Sequence, residues 1–169
     1  MSSRENIMDI LKKAYQIEVD GYTFYSMTAD KADKPAVRDL FAKLASDELQ
    51  HQAFLRDVLK HYDDKGVAAF VQHQRPPELR AFAQQIFSDQ FRAQAQGAAF
   101  ETAVLSVGMT LESRAIAYFS GAAEKASEKE VKDFYTFLAD WEKQHLDALQ
   151  NVFGMVRADF WEQSGFAPF

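Results

Sequence analysis

Two segments of the sequence carry the same pair of side chains at the same spacing. Glu48 stands three residues before His51 and Glu142 three before His145, and each pair follows another glutamate thirty residues earlier, Glu18 and Glu112. Carboxylate oxygen and imidazole nitrogen are ligands for divalent metals, and their mixture without sulfur suits iron or manganese at a redox site. The chain contains no cysteine. That removes disulfides, thiolate-ligated zinc, iron–sulfur clusters and thiol catalysis together, so any metal must be held by oxygen and nitrogen.

The spacing belongs to an internal repeat. Shifting the chain on itself by 94 residues superposes Glu18 on Glu112, Val37 on Val131, Leu44 and Ala45 on Leu138 and Ala139, Glu48 on Glu142, Gln50 on Gln144, His51 on His145 and Leu55 on Leu149. Fourteen of the 42 positions from 18 to 59 are identical without a gap. Shared leucines alone would report similar helices; matches at polar positions report shared chemistry.

These residues need elements that aim them at one place. Apolar residues recur three and four apart over about 3–31, 34–62, 98–125 and 128–153, which predicts four long helices. Glu48 and His51 share a face with Leu44, Leu55 and Val58, and Glu142 and His145 share one with Leu138, Leu149 and Val152. Glu18 lies one turn from Ala14 and Tyr22, and Glu112 one turn from Gly108 and Ile116. Four carboxylates and two imidazoles therefore approach one bundle axis at similar depth. Desolvating a carboxylate costs several kcal/mol unless it is paired, and no Lys or Arg on these stripes can pair four of them. Two divalent ions would cancel the charge. Any one of these residues alone reads equally as a solvated boundary glutamate or a hydrogen-bonded core histidine; the joint pattern is what points to a dinuclear site.

Short connections near 31–34 and 125–127 predict two antiparallel hairpins, 1–2 and 3–4. About 35 residues, 63–97, separate the hairpins and include Arg75-Pro-Pro and a short helix expected from Glu78 to Phe87. That length suits an up-up-down-down style crossover along the bundle. After Phe153 an aromatic tail, Phe160, Trp161, Phe166 and Phe169, reads as a short C-terminal helix packed on the bundle or at a subunit interface. His61 and His73, near or in the crossover, read as surface residues.

The fold class is all-α. The 169 residues, 47% hydrophobic and 14% aromatic, suffice for one domain over 1–169. A net charge of −6 argues against nucleic-acid and polybasic membrane partners. The N-terminus shows no apolar targeting run and no segment approaches the length of a membrane span, so a soluble, cytoplasmic protein is expected.

The repeated Glu…Glu-x-x-His resembles the ligand set of the ferritin-like superfamily, most closely its rubrerythrin-like branch, over nearly the whole chain from Glu5 to about Phe153. The resemblance implies a ferritin-like four-helix bundle with two iron ions, or manganese in their place. In it Glu48 and Glu142 bridge, Glu18 and Glu112 are terminal ligands, and His51 and His145 each take one metal. Tyr25, two turns after Glu18, is similar to a tyrosine found behind the ligands of such sites; core packing with its hydroxyl bonded elsewhere is the alternative. Asp47 occupies the place from which related proteins orient an imidazole across the bundle, whereas the repeat has Trp141 there. Rubrerythrin proper also carries a rubredoxin-like domain on four cysteines, lacking here, which implies an external electron-donor protein. It has a further carboxylate one turn after the helix-three ligand, where this chain has Ala115; the six-residue set is thus more similar to that of bacterioferritin.

The function these features imply is reduction of H2O2 or O2 at a di-iron centre by a homodimer. Ferroxidase activity feeding an iron store, and a metal-free interaction module, are the alternatives.

Overall fold

The computed structural model describes residues 3–33, 35–65 and 99–164, and every element among them is helical. Helix α1 spans Ser3–Lys31, α2 Pro35–Lys65, α3 Ala99–Lys125 and α4 Lys129–Ser164. Pro35 opens α2, where its missing N–H would have had no intrahelical partner. The C-terminal helix expected after Phe153 is continuous with α4. No proline interrupts that stretch, and Gly154 sits in open space where the helix tolerates it. The side chains of Phe160 and Trp161 lie outside the described residues, as do Phe166, Phe169, His73 and the helix expected over 78–87. His61 lies on α2, partly exposed, with its ring nitrogen 3.0 Å from the Asp57 carboxylate.

α1 and α2 form one antiparallel hairpin. It closes at Ala32, whose N–H donates to the Ala29 carbonyl and whose own carbonyl accepts from the Arg38 guanidinium at 3.0 Å. α3 and α4 form the second, closed at Ala126, whose N–H donates to Ala122 at 3.1 Å. The hairpins pack so that α1 lies against α3 and α2 against α4. Tyr25 meets Gly108 and Glu112, while Ile7 and Ile10 lie beside Gly121, so α1 and α3 run in opposite directions. Across the other seam Glu48 meets His145 and Phe54 stacks on Phe134.

The chain order is thus up, down, down, up, not the expected up-up-down-down. Each short turn reverses the chain, and the long connection leaves α2 and α3 parallel. Lys65 and Ala99 consequently fall at opposite ends of the bundle, as a full-length crossover requires; residues 66–98 themselves lie outside the described residues.

The apolar core is divided in two. One cluster gathers Leu11, Phe54, Leu55, Phe119, Phe134 and Leu138, and the other gathers Leu40, Phe41, Leu44, Leu105, Leu149 and Val152. All are buried. The layer between the clusters is polar, and it holds the repeated glutamates and histidines. No helix among the described residues is long and apolar enough to cross a membrane.

Candidate metal centre

Each helix delivers part of the polar layer. α1 supplies Glu18, α2 supplies Glu48 and His51, α3 supplies Glu112, and α4 supplies Glu142 and His145. The structure brings all six together, none more than 4% exposed. Their atoms fall into two groups that share one residue. Glu18, Glu48 and His51 form the first, and Glu48, Glu112, Glu142 and His145 the second; within each group the potential ligand atoms lie within 4.8 Å of one another. Glu48 alone belongs to both. Of the two carboxylates that the resemblance made bridging, Glu142 sits here with the second group only.

Both imidazoles turn the same nitrogen inward. His51 Nδ1 lies 3.0 Å from Glu18 Oε2 and 3.5 Å from Glu48 Oε2. His145 Nδ1 lies 3.3 Å from Glu48 Oε1, 3.4 Å from Glu112 Oε1 and 3.9 Å from Glu142 Oε2. The helix backbone makes room for this crowding. A Cβ at Gly21 would stand 2.8 Å from Glu48 Oε1, so glycine is what lets the carboxylate lie against α1. Gly108 similarly admits Leu149 and the Tyr25 ring, which a Cβ would approach to 3.1 and 3.4 Å. Gln52 Nε2 donates to the Glu18 backbone carbonyl at 3.1 Å, tying α2 to α1 at the depth of the site.

The electrostatics are those of a site short of positive charge. Burial, then Glu48, pushes the Glu18 carboxyl up to about 8. Burial, then Glu18, Glu112 and Glu48, raises Glu142 well above the usual carboxylate range. Burial would also raise Glu112, but His145 beside it outweighs this and holds it below its ordinary value. Burial would lower His145, yet Glu48 and Glu112 raise it well above the usual imidazole range. Several buried atoms lack any hydrogen-bond partner: Glu18 Oε1, Glu48 Oε2, Glu142 Oε1 and both ring nitrogens of His145. An orphaned buried polar atom costs about 1–3 kcal/mol, more when charged. Coordination to divalent metal satisfies oxygen and imidazole lone pairs and cancels the negative charge, so the residues present fit a pair of such ions.

Three neighbours complete the surroundings. The Tyr25 hydroxyl donates to Glu112 Oε1, which settles where that hydroxyl is bonded. Burial, then Glu112 and Glu48, raises the phenol well above its ordinary value, so it stays protonated and remains a donor. Asp47 is fully buried but does not bond an imidazole as expected. It pairs with Lys43 and accepts weakly from Gln50, both on its own helix, and its Oδ2 has no partner. Lysine one turn away on the same helix reaches the carboxylate more readily than a ring across the bundle.

Trp141, the repeat counterpart of Asp47, is the residue that sequence reasoning passed over as a site residue. Its indole stacks on His51 with centroids 4.0 Å apart and planes 7° from parallel. The signal for it was positional: it precedes Glu142 as Asp47 precedes Glu48.

A cleft of about 360 Å³ between α1 and α3 reaches this layer. Glu48, Glu112 and Glu142 line its inner end, and Gly21 and Ala115, which occupy matching positions in the repeat, keep its walls apart. A carboxylate at 115 would project into this space. A separate cavity of about 410 Å³ by the α3–α4 turn, lined by Ile7, Val131 and Tyr135, belongs to one of the apolar clusters and not to the polar layer.

Comparison with known families matches residues 9–153 to the family described as Rubrerythrin. No curated protein and no solved structure matches the chain. The matched span takes in all six convergent side chains and most of the four helices that carry them. The chain therefore belongs to the rubrerythrin family, within the ferritin-like superfamily.

Proposed function

We propose that the protein is a di-iron carboxylate oxidoreductase that reduces H2O2 or O2 with electrons from an external donor protein, with manganese as the other metal its ligand set accommodates. The observation that carries this reading is the buried layer of four glutamates and two histidines, with orphaned ligand atoms, between two apolar clusters. Bound there, ferrous iron supplies the two electrons of the reduction and stabilises the oxide charge that develops.

The chain's own residues do the rest. The six side chains set ligand number and geometry, and the apolar clusters on either side keep bulk water from the layer. The Tyr25 hydroxyl holds its proton on Glu112 and fixes that carboxylate. The cleft between α1 and α3 admits a small oxidant to the inner carboxylates, with Lys13 and Arg114 among its lining. The 169 residues contain no cysteine and hence no thiolate-ligated iron, so in this reading the electrons reach the centre from outside them.

Ala115 favours a second reading. Without a carboxylate at that position the set stops at six, as in a ferroxidase that passes oxidised iron to a store. Protein loaded anaerobically with ferrous iron and mixed rapidly with H2O2 or O2 distinguishes these. The oxidoreductase oxidises its iron faster than free iron reacts and retains about two ions per chain; a store accumulates far more. Oxidation no faster than that of free iron by either oxidant overturns both.

A further inference from the structure

We propose that the two halves of the centre are inequivalent and fill in order. Glu48, Glu112, Glu142 and His145 take the first divalent ion; Glu18, Glu48 and His51, backed by Trp141, take the second. The inference rests on the metal-centre reading and goes beyond it by giving the halves different affinities and a residue that separates them.

Three observations lead there. The first is ligand charge. The His145 group offers three carboxylates and an imidazole, whereas the His51 group offers two carboxylates and an imidazole. Affinity for a hard divalent cation rises with the number of charged ligands. Glu48 is common to both groups, so an ion already bound on the His145 side leaves less negative charge for the other.

The second is readiness. His51 Nδ1 is engaged with Glu18 at 3.0 Å, a contact that a metal must displace. The contacts of His145 Nδ1 are longer, 3.3 Å to Glu48 and 3.4 Å to Glu112, and its Nε2 has no hydrogen bond to give up. The third is Trp141. The two hairpins are alike at their ligands but differ at the matching pair Asp47 and Trp141. The indole is buried, with no partner for its Nε1, and is held by His51 on one side and by Phe54 and Phe137 at 4.9 and 4.8 Å. It fixes the plane of the His51 ring by stacking, whereas its repeat counterpart Asp47 is turned to Lys43 and touches neither imidazole. Trp141 is thus a positioning residue for the weaker half.

The same stack supplies the readout. The chain has two tryptophans, so W161F leaves Trp141 as the sole indole. A paramagnetic ion held by His51 quenches the indole stacked on that ring more than one held by His145. W161F protein is titrated with Co2+, bound cobalt being counted by dialysis while the emission is followed. The expected course is one ion bound with little quenching, then a second, at least about tenfold weaker, that brings most of it.

In the same background E18Q is expected to keep the first ion and lose the second together with its quenching, and E112Q to weaken the first. W141F is expected to bind both ions with the second weakened several-fold, whereas a purely structural role for the indole would leave the ratio of the two affinities unchanged. Quenching in proportion to cobalt from the first addition, or loss of the tighter ion in E18Q, overturns the order while leaving a two-ion centre intact. No bound cobalt at all overturns the centre itself and the order with it.

Discussion

Gly21 sits where the Glu48 carboxylate leans on α1, with Oε1 only 2.8 Å from where a Cβ would be. Alanine raises intrinsic helix stability there by up to about 1 kcal/mol, and the atom in its way is the far end of a glutamate. G21A is therefore expected to leave the melting temperature of the metal-free protein unchanged or slightly raised, while weakening metal binding about tenfold. Melting curves and a metal titration on the same variant check both halves. Unaltered binding would show that Glu48 needs no such close approach. The six convergent residues were legible in the sequence because they are polar residues on apolar stripes, repeated at one spacing. Trp141 was not, since a tryptophan on a stripe reads as core and only the structure shows it stacked on His51. Asp47 was legible as buried beside the site, but its choice of Lys43 over a ring depended on a contact within α2 that competes with the one across the bundle.

At the scale of helices, periodicity located all four because each buries one face along its whole length. It could not give their directions. Chain order up, down, down, up follows from which residues meet, such as Tyr25 with Gly108 and Phe54 with Phe134, and amphipathic stripes are blind to that. The end of α4 was also misplaced, because the apolar stripe gives no stop signal where the helix simply continues to Ser164. The seam between α2 and α4 is aromatic: Phe54 touches Phe134, Phe137 and Trp141 with centroids 6.4, 5.7 and 4.9 Å away. F54A is expected to cost about 3–5 kcal/mol of stability by leaving a cavity in that seam. It should also reduce metal affinity on the His51 side, because Trp141 loses a wall. Chemical denaturation measures the first effect; a loss under 1 kcal/mol would mean that the seam closes around the gap.

The molecule as a whole carries a polar slab between two apolar ones, and its stability should depend on what fills the slab. Without metal, Glu18, pushed up from 4.5 to about 8, and Glu142 and His145, both raised, make the folded protein bind more protons than the unfolded chain at neutral pH. Stability of the folded state then falls as pH rises from about 4.5 toward 8. Glu112, lowered, acts in the opposite sense but only in the acid range below its ordinary value. EDTA-treated protein is therefore expected to melt at a lower temperature at pH 8 than at pH 6. The metal-bound protein should melt higher at both and show less of this dependence, since binding has already released the protons. Melting of the metal-free form at a higher temperature at pH 8 would contradict the electrostatic description of the slab. The claim on which the rest depends is that the six side chains hold two metal ions. Iron counted per chain after anaerobic loading and removal of unbound metal tests it most directly. Two ions in the unaltered protein, at most one in E18Q and fewer than one in a variant lacking the shared Glu48 are expected; no retained iron, or two ions retained without Glu48, would contradict it.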